Sequence, residues 1–406
     1  MLKKDSLIQN WIIVYFLATI LFFAPVMLII GVKLLSWSII GMTFLSTFSF
    51  VIFKKHKSVK FSTPFKCIFL MIIITPFVSY VAHGQGIIHG VRVVMDVLPY
   101  TFFFFLCKYR VSIERLEKVV WVVVVMYIFV FFAALAIAPT ILFDATGGNI
   151  EELNTGRGIT RVKILGTCAL HFAFFISVNK GFLCKQKKYI FLAFFFFLVI
   201  LLNVSRQHIV FALIVATLMV LRSIKWYYYV PVLVILGGGI MYVVNNIGFI
   251  QQMIELTSNQ AEDGTRDNIR VLSFLYYVFE YNDSIFQVIL GNGIPYANSP
   301  WGEKMFFFSD STGLHLSDVG YAKIYFYWGV IGILLFLFLL FKVISMKSVD
   351  KSVLYCRYYL IFVLLTNVAS HSFFTEGVTI VFAIYILDES NRRRILSEIK
   401  LIPEKE

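Results

Sequence analysis

Apolar runs of about 18 residues or more recur along almost the whole chain, and nothing constrains its fold more tightly. A run of that length with few charges reads as a transmembrane helix, because a helix satisfies each backbone N–H and C=O within itself where no water can reach. With 59% hydrophobic and 15% charged residues, no separate soluble domain stands out. The exception is the long polar segment 246–318, around which the apolar runs are arranged.

Periodicity and length place about twelve spans, near 11–31, 34–53, 66–83, 91–107, 119–139, 163–179, 189–204, 207–222, 227–245, 319–341, 353–370 and 375–388. The first follows Lys3 and Lys4, is too long for a signal-peptide core and lacks a convincing small-residue cleavage site, so it is kept as a span. Basic residues fall in every second loop: FKKHKSVK, CKYRVSIERLEK, NKGFLCKQKK, LRSIKW, FKVISMKSVDKS and the tail NRRRILSEIK. The intervening loops near 84–90, 141–160, 205–207 and 371–377 are poor in lysine, with Lys33 in the first short outer turn as the one stray. Segment 246–316 carries Arg266, Arg270 and Lys304 against eight acidic residues, a net −5. Lysine and arginine concentrate on the cytoplasmic side of membrane proteins. The pattern therefore predicts an all-α polytopic membrane protein, one domain over 1–406, with both termini cytoplasmic and its large segment outside. The formal charge of +13 is then a topology signal, and nucleic acid is not an expected partner. Cys67, Cys107, Cys184 and Cys356 sit at cytoplasmic ends and Cys168 within a span, with neither a disulfide framework nor a CxxC metal spacing, so no metal or cofactor is expected.

Ionisable groups near hydrocarbon are costly and mark function. Arg206, in the NVSRQH break of the apolar block 189–222, is the one arginine or lysine of a tight outer turn. Snorkelling to lipid headgroups is the alternative reading. Arg157 and Arg161 precede the sixth span, with Asp144, Glu151 and Glu152 as competing ion-pair partners. In the large segment, Thr265 or Asp263 suits a helix N-cap, with a helix over 266–281 whose apolar positions Ile269, Leu272, Tyr276 and Phe279 face the bundle or the membrane interface. Arg266 and Arg270 share one face of it, and two guanidiniums beside a helix N-terminus suit a phosphate or pyrophosphate. Pairing with Asp263 or Asp267 is the competing reading. LGNGIPY reads as a turn that brings the chain back over the bundle. His315 and Asp318 stand at the mouth of the tenth span, where a carboxylate or imidazole could take a proton from a hydroxyl. Asp318 is also a natural helix cap. His371 and Glu376, in the last outer turn, are secondary candidates.

This layout, with SRQ at 205–207, GTRD at 264–267, LGNG at 290–293 and DVGYAKIYFYWGVIG at 318–332, resembles the O-antigen polymerase and O-antigen ligase superfamily of GT-C type membrane glycosyltransferases. The resemblance covers the whole chain and implies a metal-independent inverting transfer at the periplasmic face of the bacterial inner membrane. Donor and acceptor would both be glycans on undecaprenyl pyrophosphate, and a chain-length regulator protein is a conceivable partner. Arginines matching Arg161, Arg206 and Arg266 would hold the pyrophosphate as it leaves. Ligases of the superfamily carry a histidine eleven positions before a GxxG-like turn; with Gly329 and Gly332 as that turn, the matching position here is Asp318, and His315 is displaced. That departure favours a polymerase over a ligase. A flippase for lipid-linked sugars would show two similar halves and no long outer segment. A structural membrane protein would not need arginines on three outer turns.

Overall fold

The computed structural model describes residues 2–53, 60–138, 140–143, 162, 164–231, 268–346 and 349–400. Among these the protein is helical throughout, with no strand. Helices Val26–Ile52, Ser62–His83, Ile113–Ala136 and Gly320–Ile344 are each long and apolar enough to cross a membrane. The pair Ile87–Val94 and Leu98–Tyr109, bent by 61°, makes a fifth if it counts as one broken span. The remaining predicted spans correspond to shorter or partly charged helices, and the ninth, 227–245, lies mostly outside the described residues. A 16-residue helix is about 24 Å long at ~1.5 Å per residue, short of a hydrocarbon core of about 30 Å.

In chain order, α1 (Leu2–Thr19) and α2 (Ile29–Phe53) are separated by a left-handed run, Leu21 to Ala24, that ends at Pro25. The first turn thus lies earlier than expected: the run 11–31 breaks at Thr19, and Lys33 belongs to α2, not to an outer turn. Helix α3 (Ser62–His83) contains Pro76, and α4 (Ile87–Val94) packs on it so closely that a Cβ on Gly90 would lie 2.7 Å from the Pro76 Cα. Next come α5 (Phe102–Tyr109), α6 (Ile113–Ala136), α7 (Thr167–Val178), α8 (Lys187–Leu202) and α9 (Arg206–Leu221). Beyond the undescribed stretch lie α10 (Ile269–Leu275), α11 (Ile285–Leu290), α12 (Pro300–Thr312) and α13 (Gly320–Ile344). The last three are α14 (Tyr355–Thr366), the single turn α15 (Ser372–Thr375) and α16 (Gly377–Lys400).

The core forms around α7. Every residue from Cys168 to Val178 is buried, as expected of a helix that is apolar on all faces, and α6, α8, α9, α14 and α16 pack against it. Bonds between loops sort the two ends of the bundle. At one end Lys180 and Tyr355 both bind Glu117, Asn179 Nδ2 donates to the Lys351 carbonyl, and Lys342 Nζ donates to the Lys60 carbonyl. These are the loops whose basic character marks them in the sequence. At the other end the Val26 N–H donates to the Leu142 carbonyl, Gln85 holds Ile294 and Tyr296, and His371 meets Ser317.

Helix α13 is broken. Gly329 adopts φ 62° and ψ −159°, a backbone state essentially confined to glycine. The break releases carbonyls from the helical ladder, and the glycine turn after α11 takes them: the Asn292 N–H donates to Phe326 O (2.8 Å) and the Gly293 N–H to Tyr327 O (3.1 Å). The LGNG turn therefore returns the chain to the bundle as a wedge in α13. An irregular backbone at this depth is tolerated because protein buries it and satisfies its polar groups.

Candidate functional site

The polar residues of the second end form a ribbon across α7, α9, α13, α14 and α15. It begins at the turn between α8 and α9, where the tight turn expected around Arg206 is present. Asn203 accepts the Tyr127 hydroxyl at 2.8 Å, and Val204 takes a left-handed conformation (φ 57°). Arg206 opens α9 and is half-buried at the mouth of this turn. One helical step on, His208 bonds Ser205 Oγ through Nδ1 at 2.5 Å and stacks on His171 of α7, ring centroids 4.9 Å apart and planes 8° from parallel.

His171 sits inside the most buried helix of the protein, so its polar atoms must find partners there. Its Nδ1 lies 2.8 Å from Glu376 Oε1, and the Tyr359 hydroxyl of α14 donates to Glu376 Oε2 at 2.6 Å. Glu376 is 1% exposed and ends α15. His171 borders a cavity of about 150 Å³, lined also by Thr167, Asn203, Ser205 and His208. A buried carboxylate and imidazole contribute little net stability, since desolvation offsets their attraction. Their retention here is a signal of function.

Ligand atoms of His171, His208 and Glu376 lie within 4.8 Å of one another, close enough to be tested as a metal centre. The ring geometry argues against one. Imidazole lone pairs lie in the ring planes, and the near-parallel planes of the two histidines keep those lone pairs from converging on one point. Glu376 has both oxygens engaged already.

The ribbon continues through α15 to the mouth of α13. His371 donates from Nδ1 to the Ser317 carbonyl (2.7 Å). Burial, with the Lys323 ammonium adding to it, pushes this imidazole down to about 4, so it is neutral. Lys323 lies over the faces of Phe374 (5.0 Å) and Tyr327 (5.7 Å) and interacts electrostatically with Asp96. Asp96 is exposed, and Lys323 and His371 are half-buried.

Several sequence expectations change here. His315 and Asp318 do not share a helix face: residues Leu316–Asp318 form a 3-10 turn, with His315 exposed and Asp318 half-buried. Nor does Asp318 cap α13. The cap position is Val319, and the Asp318 carboxylate accepts only the Ser317 hydroxyl (3.4 Å) among the described residues. The helix expected over 266–281 is capped by Asn268, whose side chain accepts the Arg270 N–H, in place of Asp263 or Thr265. It turns Ser273 and Tyr277 inward and leaves Ile269, Leu272 and Phe279 exposed, so of the two expected placements these three do not face the bundle, and the membrane interface is the one that remains. Arg270 is exposed. Arg157, Arg161 and Arg266, with their acidic neighbours, lie outside the described residues. Of the secondary candidates, Glu376 proves to be a buried centre of the ribbon and His371 its link to α13. Sequence reasoning missed His171, His208, Tyr359, Lys323 and Asp96. A lone histidine in ALHFAFF and single charges in VVMDVLPY and GYAKIYF were available signals, by the same cost argument that singled out Arg206.

No protein-family model matches the chain, and no curated protein aligns with it.

Proposed function

We propose that the protein is a membrane glycosyltransferase of the O-antigen polymerase kind, joining oligosaccharide repeat units carried on undecaprenyl pyrophosphate. In this reading it is a GT-C-like bundle of about twelve spans in the bacterial inner membrane, with both termini cytoplasmic and segment 246–318 periplasmic. The observation that carries the proposal is the ribbon itself. Arg206, the Glu376–His171 pair and the Asp318–His371 mouth lie on connected elements at one end of an apolar bundle.

Donor chemistry falls to the guanidiniums. Arg206, joined by Arg157, Arg161, Arg266 and Arg270 from the outer loops, neutralises the pyrophosphate as the glycosidic bond to it breaks. The acceptor unit lies along the α13 mouth, where Asp318, with His315 beside it, orients the attacking hydroxyl. Neither a metal nor another cofactor takes part. A chain-length regulator would act from outside the catalytic bundle.

The test is to incubate purified protein with lipid-linked repeat unit alone. A ladder of products supports the polymerase. Product only after lipid A core is added indicates a ligase, and movement of substrate without a covalent product indicates a transporter; either result overturns the reading.

A further inference from the structure

We infer that His171 is the proton acceptor of the transfer, with Glu376 and Tyr359 as its positioning residues; the inference rests on the glycosyl-transfer reading above. His171 meets the geometric demands of a general base. Its Nδ1 is committed to Glu376 at 2.8 Å, which leaves the Nε2 lone pair as the ring's basic site. Nε2 has no protein partner among the described residues, and the ring borders the cavity beneath the α8–α9 turn. The walls of that cavity include Ser205 and His208, from the turn and helix start that also carry Arg206, so the base lies beside the element that bears the leaving-group cation.

The surroundings of Glu376 suit the charge that develops. Its carboxylate is 1% exposed and is held by Tyr359 at 2.6 Å, so it cannot turn away from the imidazole. Tyr359 is fixed in turn by Thr379, 2.5 Å from its hydroxyl. In the step, an acceptor hydroxyl oxygen bonds to the anomeric carbon as the bond from that carbon to the pyrophosphate oxygen breaks. The hydroxyl proton passes to His171 Nε2, the bonding pair leaves with undecaprenyl pyrophosphate, and Glu376 balances the imidazolium. Water in the cavity then takes the proton. Asp318 has no such backing among the described residues: there its carboxylate accepts only from a neighbouring serine, and it keeps the orienting role.

The experiment compares wild type with His171→Ala, His171→Gln, Glu376→Gln and Asp318→Asn, all full length in proteoliposomes with lipid-linked repeat unit isolated from the host membrane. Each variant is first checked for monodispersity and donor binding. The His171 variants are expected to lose turnover by about 10²–10⁴-fold with donor binding retained. The acidic limb of the wild-type pH–rate profile should disappear from the residual activity, and added imidazole should restore part of the rate in His171→Ala. Glu376→Gln should lower kcat with KM unchanged, because it alters the base without touching substrate. Ladder formation within a few-fold of wild type in both His171 variants, with an unchanged pH profile, would overturn the inference and leave the transferase reading standing. Stoichiometric bound zinc whose chelation abolishes wild-type activity would overturn it in favour of a metal centre. No product from wild type with any acceptor would remove the reading and the inference together.

Discussion

Gly329 and Ile289 pack so closely that a Cβ on Gly329 would lie 2.3 Å from the Ile289 carbonyl oxygen. The contact holds the glycine turn in the break of α13, close to the segment that carries Asp318. Gly329→Ala should therefore destabilise the protein by about 1–3 kcal/mol from backbone strain alone, and by more from the clash. The expected outcome is a lower melting temperature in detergent and a smaller monodisperse fraction; an unchanged melting temperature would show that the break is not needed.

The charge of −5 across 246–316 predicts that this segment is extracytoplasmic. Ser299 is a poor labelling position, since it is fully buried and its hydroxyl caps α12. Ser311 is exposed. In a background with the exposed Cys67 replaced by serine, Ser311→Cys should react with an impermeant maleimide added from outside. Reaction only from the cytoplasmic side would end the proposed topology and the mechanism with it.

Arg206→Lys and Arg266→Lys should each lose most transfer activity while the protein inserts and folds normally. A lysine keeps the charge but not the planar pair of donors that fits a phosphate edge. Near-normal ladders from either variant would reduce that arginine to headgroup contact or ion pairing.

Asp318→Asn separates orientation from proton transfer. Loss of a charged hydrogen-bond partner to the acceptor is expected to raise acceptor KM about 10-fold or more, with a smaller change in kcat. His315→Ala, at an exposed position, should have a milder effect on acceptor KM than Asp318→Asn. If kcat collapses with KM unmoved, Asp318 is the base and His171 is not.

His371 makes stability depend on pH. Its folded-state value of about 4 lies below the usual 6.5, so the unfolded chain binds the proton first as the medium acidifies. The neutral form contributes fully above about pH 6.5. Stability is then lost progressively as pH falls towards 4. Melting temperatures of wild type and His371→Gln, measured from pH 7.5 to 4, should converge towards the acidic end. Parallel curves would show that the imidazole is not held neutral.

What the sequence determined alone is the helical, membrane-spanning character of the chain and most helix positions. Those follow from local quantities: run length, apolar composition and helix-breaking residues such as Gly84, although the run 11–31 was read straight through its break before Pro25. The same local reading separated the two sets of loops, and the structure gathers each set at its own end. It also placed Arg206 and Glu376 at turns. What it did not determine was which side chains meet. The phenylalanines of TFFFFL read equally well as lipid-facing or packed, and the structure buries all four, because α5 lies among α2 and α16. The surroundings of the apolar face of α10 were left open between bundle and membrane interface, since hydrophobic spacing alone does not tell a lipid-facing surface from a buried one when both solvents are apolar. His171 and Glu376 are 205 residues apart, and Gly329 is broken by a turn that closes some 38 positions earlier in the chain. Such pairings depend on how the helices pack, and only the tertiary structure decided them.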